Sequence, residues 1–94
     1  MSELDFIEQV PIAGLKRAAT TGTTIGRAGC DVDLNDPDVS RRHAVIRQGD
    51  TGMALEDLGS TNGTWVNGLR IEGMVELAAG DEVRFGNTVW VVQP

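Results

Sequence analysis

The stretch VSRRHAVI, residues 39–46, joins a polar loop to an apolar strand. In its polar half, Ser40 offers a hydroxyl group, and Arg41 and Arg42 offer planar guanidinium groups that match the oxygens of a phosphate or a carboxylate. His43 can bridge two backbone segments through its two ring nitrogens. The apolar half is suited to anchoring the loop in a core. The pattern predicts an anion-binding loop attached to a β-strand.

Two further polar stretches lie on either side of this one. Gly26-Arg27 ends an earlier apolar run, and GSTNG at residues 59–63 follows less than twenty residues later. Binding residues are concentrated in loops that a rigid scaffold holds in place. We therefore expect the three polar stretches to meet in one site.

Short candidate strands separated by turn residues account for most of the chain. Asn-Gly pairs occur at residues 62–63 and 67–68, and no stretch of 10 residues keeps a helical apolar period free of glycine. These signals predict an all-β sandwich of two sheets with the binding loops at one end. The predicted strands are an edge strand within residues 1–11, a candidate partner for it within 12–18, a short strand at 32–34, a hairpin of 42–48 and 53–58, and strands at 64–66, 69–71, 83–85 and 88–92.

Length, charge and cysteine content narrow the function classes. The chain has 94 residues, which fits a single compact domain, and a net charge of −6, which argues against DNA or RNA as a partner. No apolar run reaches the roughly 18 residues that a membrane span requires. The single cysteine, Cys30, excludes an internal disulfide framework. We therefore expect a soluble, cytoplasmic domain that binds neither nucleic acid nor membrane.

Enzymatic and metal-binding functions are not favoured by the motifs. Ser40 and His43 are only three residues apart on one loop-to-strand segment, and no Gly-x-Ser-x-Gly motif is present. The aspartate-rich segment 28–38 also fails as a calcium loop, because Asp36 stands where the sharp turn needs glycine and Arg42 where a bidentate glutamate belongs. The sequence predicts no catalytic residue, no metal site and no cofactor.

Four motifs in a fixed order closely resemble the forkhead-associated (FHA) domain. The motifs are Gly26-Arg27, Ser40-x-x-His43, residues 59–64 (GSTNGT) with Asn67-Gly68, and residues 77–86 with the pattern Leu-x-x-Gly-Asp-x-Val-x-Phe-Gly. Each motif is weak alone, but their order and short separations make a chance match improbable. The resemblance covers about residues 23–93, and we predict one FHA-like domain over residues 1–94.

The resemblance implies a sandwich of about eleven strands whose loops bind a phosphothreonine peptide. Arg27 would form an ion pair with the phosphate, and Ser40 and Arg41 would donate hydrogen bonds to its oxygens. Thr61 would contribute from the neighbouring loop, and Asn62 would bond the peptide backbone beside the phosphothreonine.

The resemblance further implies that Gly26, His43 and Gly63 support the site without touching the phosphate. Taken without it, Arg27 could instead pair with Asp31 or Asp33 as an ordinary surface cation. By the same reasoning Ser40 could cap a turn, and the Asn-Gly pairs could serve turn geometry alone. Trp65 and Trp90 are expected to be packing residues.

The predicted function is phosphothreonine-dependent recognition in Ser/Thr kinase signalling, without catalysis. The partner would be a phosphothreonine-containing protein or peptide. The domain is expected to be monomeric, either by itself or within a larger protein, and its composition suggests a bacterial source. The alternative is a structural or assembly module that binds an unphosphorylated partner through a face of the sandwich.

Overall fold

Eleven β-strands in two sheets are formed within residues 3–93, as predicted. The structure is a computed structural model that describes residues 3–93; residues 1, 2 and 94, which the single-domain prediction includes, lie outside the described residues. No helix occurs within residues 3–93. The strands are β1 (Glu3–Val10), β2 (Lys16–Thr20), β3 (Thr24–Gly26), β4 (Val32–Asp33), β5 (Ala44–Gln48), β6 (Met53–Asp57), β7 (Thr64–Val66), β8 (Leu69–Arg70), β9 (Met74–Glu76), β10 (Glu82–Phe85) and β11 (Thr88–Val92).

The strands form a six-stranded and a five-stranded sheet. The six-stranded sheet has the order β2-β1-β11-β10-β7-β8, and the five-stranded sheet has the order β4-β3-β5-β6-β9. Neighbouring strands are antiparallel except β3 and β4, which are parallel. The predicted hairpin is present as β5 and β6, with Ala44 opposite Asp57 and Gln48 opposite Met53. Because the sheets pack face to face, the loops that follow β3, β4 and β6 can gather at one end; we call these the apical loops.

The core between the sheets follows the two-residue period of the strands. Along β11, Thr88, Trp90 and Val92 are buried, whereas the residues between them are half-buried. The Trp90 ring packs against Phe6 at a centroid distance of 5.0 Å and against Phe85 at 5.1 Å. Trp90 is therefore a packing residue, as predicted. Trp65 differs, because it is only half-buried and lies under the Arg84 guanidinium at 4.8 Å.

The N-terminal prediction was wrong about the sheet edge. β1 lies inside the six-stranded sheet, between β11 and β2, and β2 forms the edge instead. Residues 16–20 thus supply the partner that was expected within 12–18. β1 is an inner strand because β11 and β2 pair with its two edges, and its Phe6 and Glu8 side chains are buried in the core.

Three weakly patterned segments also differ from the predictions. β9 was missed, because Met74 and Glu76 are exposed and only Val75 is partly buried, so the segment shows little of a strand's pattern. The predicted strand 32–34 is limited to the two residues of β4. The predicted strand 53–58 ends one residue earlier, at Asp57, and Leu58 is half-buried at the start of the following loop.

Candidate functional site

Arg27 emerges from the end of β3 at a point where two backbone segments almost touch. A Cβ atom on Gly26 would lie 2.1 Å from the Arg41 carbonyl oxygen and 2.7 Å from Cys30 Sγ, so only glycine permits this approach. The Arg27 backbone N–H donates to the Ser40 carbonyl at 2.9 Å. These contacts place Arg27 beside the apical loop that carries Ser40.

The Arg27 side chain is held by backbone and not by an acid. Its Nη1 donates to the Val39 carbonyl at 2.8 Å, and the residue is exposed. Asp31 instead accepts hydrogen bonds from Thr24, and Asp33 accepts one from the backbone of Cys30. The alternative of an Arg27 ion pair with either aspartate is therefore absent from the structure.

Ser40 and Thr61 connect two apical loops. The Thr61 backbone N–H donates to Ser40 Oγ at 3.0 Å. Since this bond uses an acceptor site of the hydroxyl, the Ser40 O–H remains able to donate to a ligand. Thr61 is exposed and Ser40 half-buried, so both border the solvent at this end of the sandwich.

His43 lies buried beneath these loops and bonds to both of them. Its Nδ1 accepts from the Ser40 backbone N–H at 3.0 Å, so the proton of the neutral ring is on Nε2, which donates to the Gly63 carbonyl at 2.8 Å. Burial lowers the pKa of His43, against the Gly63 hydrogen bond and the charges of Asp57 and Asp36, which raise it. The neutral ring is thus favoured, and it ties the Ser40 loop to the Gly63 loop.

Asn62 is fixed through its side chain and its carbonyl group. Its Nδ2 donates to the Asp38 carbonyl at 2.9 Å, and its own carbonyl accepts from Trp65 Nε1 at 3.2 Å. Gly63 follows with a φ of +89°, a conformation that favours glycine. Because the Asn62 side chain bonds to Asp38 through its NH2 group, Asn62 Oδ1 is available as an acceptor for a peptide N–H.

Arg41 and Arg42 give this end of the molecule positive charge. Both are exposed, and neither takes part in any of the three ion pairs within residues 3–93. The Arg27 backbone N–H bonds to the Ser40 carbonyl, so Arg27 adds a third positive charge beside the same loop; we call these three arginines the basic cluster of a chain whose net charge is −6. The cluster and the neutral donors nearby suit a compact anion with several oxygens.

Asp57 organises one apical loop and was not singled out from the sequence. Its carboxylate accepts from Gly59 N at 3.0 Å, Ser60 N at 3.1 Å, Ser60 Oγ at 2.5 Å and Thr64 Oγ1 at 2.7 Å. Burial raises the pKa of Asp57, but these hydrogen bonds outweigh it and lower the pKa below its usual value. The signal for this role was an aspartate two residues before Gly-Ser, a typical turn in which the side chain caps backbone N–H groups.

The geometry does not provide the parts of a hydrolase. His43 Nδ1 faces the Ser40 backbone N–H and its Nε2 faces Gly63, so neither ring nitrogen serves the Ser40 hydroxyl as a base.

Across residues 3–93, no group of three or more His, Cys, Asp or Glu side chains is arranged to hold a metal ion. Nor does this part of the chain include a helix able to cross a membrane. The arrangement is suited to reversible anion binding.

Comparison with known proteins identifies relatives of the whole sandwich. The sequence pattern described as the FHA domain matches residues 23–86. The glycogen accumulation regulator GarA of Mycolicibacterium smegmatis is 40% identical over 87 residues, which are 90% of this chain and 54% of that protein. The chain spans about half or less of the curated relatives it matches.

Solved structures show the same similarity. A structure from a study of phosphothreonine-dependent FHA domain interactions is 33% identical, with a TM-score of 0.85 over 99% of this chain and 97% of that one. EmbR of Mycobacterium tuberculosis, in complex with a low-affinity phosphopeptide, is 30% identical, with a TM-score of 0.88 over 99% of this chain and 24% of that one.

Proposed function

This chain belongs to the FHA domain family, and we propose that its apical loops bind a phosphothreonine in a partner protein. The observation that carries the proposal is the cluster of unneutralised donors, in which Arg27 is held by backbone and the Ser40 hydroxyl keeps its proton free. A phosphothreonine carries about −1.5 to −2 charges at pH 7 and three acceptor oxygens. Such a group matches this cluster better than a carboxylate does.

We assign each binding residue a separate role. Arg27 forms the ion pair with the phosphate, and the Ser40 hydroxyl and Arg41 donate hydrogen bonds to its oxygens. Thr61 contributes from the neighbouring loop, and Asn62 accepts through Oδ1 from an N–H of the peptide backbone. Charge-assisted hydrogen bonds of this kind contribute about 1.5 to 3 kcal/mol each, so a few are sufficient for specific binding.

The biological setting follows from this chemistry. A phosphothreonine ligand requires a Ser/Thr kinase, so the domain would act in kinase signalling and without catalysis of its own. Support comes from the solved EmbR relative, which holds a phosphopeptide, and from GarA, which is named a regulator. We place the domain in the cytoplasm, treat residues 1–94 as one unit, and expect it to work as a monomeric module.

Replacing Arg27 tests the proposal directly. Arg27→Ala should weaken binding of a phosphothreonine peptide by about 2 to 4 kcal/mol, on the order of 30-fold to 1,000-fold, because a charge-assisted contact to a desolvated anion is lost. Arg47→Ala is the matched control, since Arg47 lies on β5 and pairs with Glu56. Calorimetric titration of both folded variants would measure the difference. An Arg27→Ala protein with parental affinity would refute the assignment.

The peptide itself provides a second arm of the experiment. If the Ser40 and Thr61 loops enclose the threonine methyl, a phosphoserine peptide should bind about 5-fold to 150-fold more weakly. The peptide would lose the transfer free energy of one methyl group and would leave a cavity where that methyl was packed. A peptide with glutamate in place of phosphothreonine should not bind, because its carboxylate carries one negative charge and has fewer oxygens than phosphate. Equal binding of the unphosphorylated peptide would leave the assembly-module alternative in place.

A further inference from the structure

The turn between β10 and β11 is bonded to the apical loop that follows β4. The Asp36 carboxylate, 6% exposed, accepts from the Asn87 backbone N–H at 2.8 Å and from Thr88 Oγ1 at 2.9 Å. The Asn87 side chain then donates through Nδ2 to Asp38 Oδ2 at 2.7 Å. Asp38 also donates its own backbone N–H to Asp36 at 3.0 Å. Asn87 is thus held by one aspartate and in turn holds another.

Gly86 makes this contact sterically possible. Its φ is +58°, and a Cβ atom there would lie 3.1 Å from both carboxylate oxygens of Asp36 and from the Asp38 carbonyl carbon. A side chain would therefore push the turn away from the loop. The family pattern ends at residue 86, so Asn87 stands just outside it.

The same loop reaches two residues of the proposed binding site. The Asp38 carbonyl accepts from Asn62 Nδ2 at 2.9 Å, and the Val39 carbonyl accepts from Arg27 Nη1 at 2.8 Å. A continuous path of hydrogen bonds therefore runs from Asn87 through Asp38 to the Asn62 amide.

We propose that Asn87 is a positioning residue for peptide binding, acting through Asp38 on Asn62. The inference rests on the proposed function. Without its bond to Asn87, the exposed Asp38 carboxylate would turn toward water. The backbone of Asp38 would then be held by its N–H bond to Asp36 alone, so the carbonyl that accepts from the Asn62 amide would be less firmly oriented. Asn62 would then lose part of its preorganisation, and peptide binding would have to restore it.

A double-mutant cycle isolates this pathway. Asn87→Ala should weaken binding of a phosphothreonine peptide on the order of 3-fold to 10-fold, the range of one net hydrogen bond. In an Asn62→Ala background the same change should have no further effect, because the residue it positions is gone. The Asn87 backbone bond to Asp36 remains in the variant, which favours a folded protein.

Asn67 provides a matched control. It also joins an aspartate and a backbone N–H, donating to Asp81 Oδ1 at 3.0 Å and accepting from Glu82 N at 3.0 Å. It follows β7 at the end remote from the Asn62 loop, and its φ of 51° suits glycine. Asn67→Gly should therefore leave peptide affinity unchanged.

A measurement on the free protein tests the pathway without a ligand. The Asn62 side-chain amide resonances should shift in Asn87→Ala and stay in place in Asn67→Gly. Unshifted resonances, or an equal loss of affinity from Asn87→Ala in both backgrounds, would overturn the positioning role while leaving the proposed function intact. A parent protein that binds phosphorylated and unphosphorylated peptides equally would instead overturn the proposed function, and the positioning role with it.

Discussion

Glu8 on the inner face of β1 is buried and Asp57 at the end of β6 is half-buried, and the two carboxylates are stabilised differently. Glu8, 1% exposed, accepts from Arg17 through Nε at 3.2 Å and Nη2 at 3.1 Å, and from Trp90 Nε1 at 3.1 Å. Asp57 accepts only from neutral N–H and O–H groups, which belong to its own loop and to Thr64 at the start of β7. One carboxylate is balanced by a cation and the other by dipoles.

The difference explains how an acidic chain keeps a basic cluster. The ion pairs of residues 3–93 use Lys16, Arg17 and Arg47, all on strands. At the apical loops the acids are satisfied by neutral donors, so Arg27 and its neighbours remain available to an anion. Neutral donors hold the loops in shape, and the unneutralised cations carry the binding.

The largest effect should come from removing the cation beside Glu8. Arg17→Ala leaves a buried carboxylate with neutral donors only, and should lower the free energy of unfolding by about 3 kcal/mol or more. Urea unfolding measures the change. Peptide affinity of the folded variant should equal that of the parent, since Arg17 lies outside the apical loops.

A double replacement checks the reason for that effect. Glu8→Gln combined with Arg17→Met should recover most of the lost stability, because a neutral amide avoids the uncompensated charge while its oxygen still accepts from Trp90. If the double variant is as unstable as Arg17→Ala, the ion pair is not the cause.

A smaller loss of stability, together with a loss of binding, is expected when the network of hydrogen bonds from neutral donors to Asp57 is removed. Asp57→Ala removes the acceptor for Ser60 and Thr64, and should cost about 2 kcal/mol of unfolding free energy, since water replaces part of the lost bonds. Because this loop carries Thr61, peptide affinity should fall as well. Parallel urea and calorimetric titrations test both outcomes, and a variant of unchanged affinity would separate the network from the site.

Acidification should distinguish the buried histidine from the carboxylates. His43 has a pKa lowered from 6.5, so the unfolded chain takes up a proton first, and stability present above pH 6.5 is lost as the pH falls toward the folded pKa. Asp36 and Asp57 have pKa values lowered from 3.8, so their contribution is lost only below that value.

The histidine contribution can be measured with a side chain that does not titrate. The urea concentration at the unfolding midpoint of the parent should decrease as the pH is lowered from about 7.5 to about 5, the range around the unperturbed histidine pKa. The midpoints of His43→Gln should be lower at neutral pH and flatter across this range. A parent and variant with parallel pH profiles would exclude His43 as the cause.

The smallest effect is expected at the exposed pair of Arg47 and Glu56. Their side chains are 48% and 34% exposed, so water screens the attraction, and Arg47→Ala should cost between about 0.2 and 1 kcal/mol. Thermal unfolding provides the measurement. A loss as large as that of Arg17→Ala would remove the distinction between buried and exposed cations.

Local chemistry made much of the fold and the candidate site predictable. Asn62-Gly63 and Asn67-Gly68 predict turns wherever they lie in space, and the β-branched and aromatic residues of 88–92 predict a strand. The motifs around Gly26 and Ser40 are likewise recognised from a few neighbouring residues. Prediction from local patterns also explains why β9 was missed. Its residues are mostly exposed, so the segment shows little of the apolar pattern that marks a strand.

The sequence by itself determined most of the strands, the turns and the order of the polar loops, because these follow from interactions between residues close together in the chain. Only the tertiary structure decided that Glu8 meets Trp90, 82 residues away, and that Asp36 meets Thr88, 52 residues away. Both contacts depend on which strands lie side by side. An acid in a local sequence does not reveal whether a cation, a hydroxyl group or water will face it, since that partner comes from another strand.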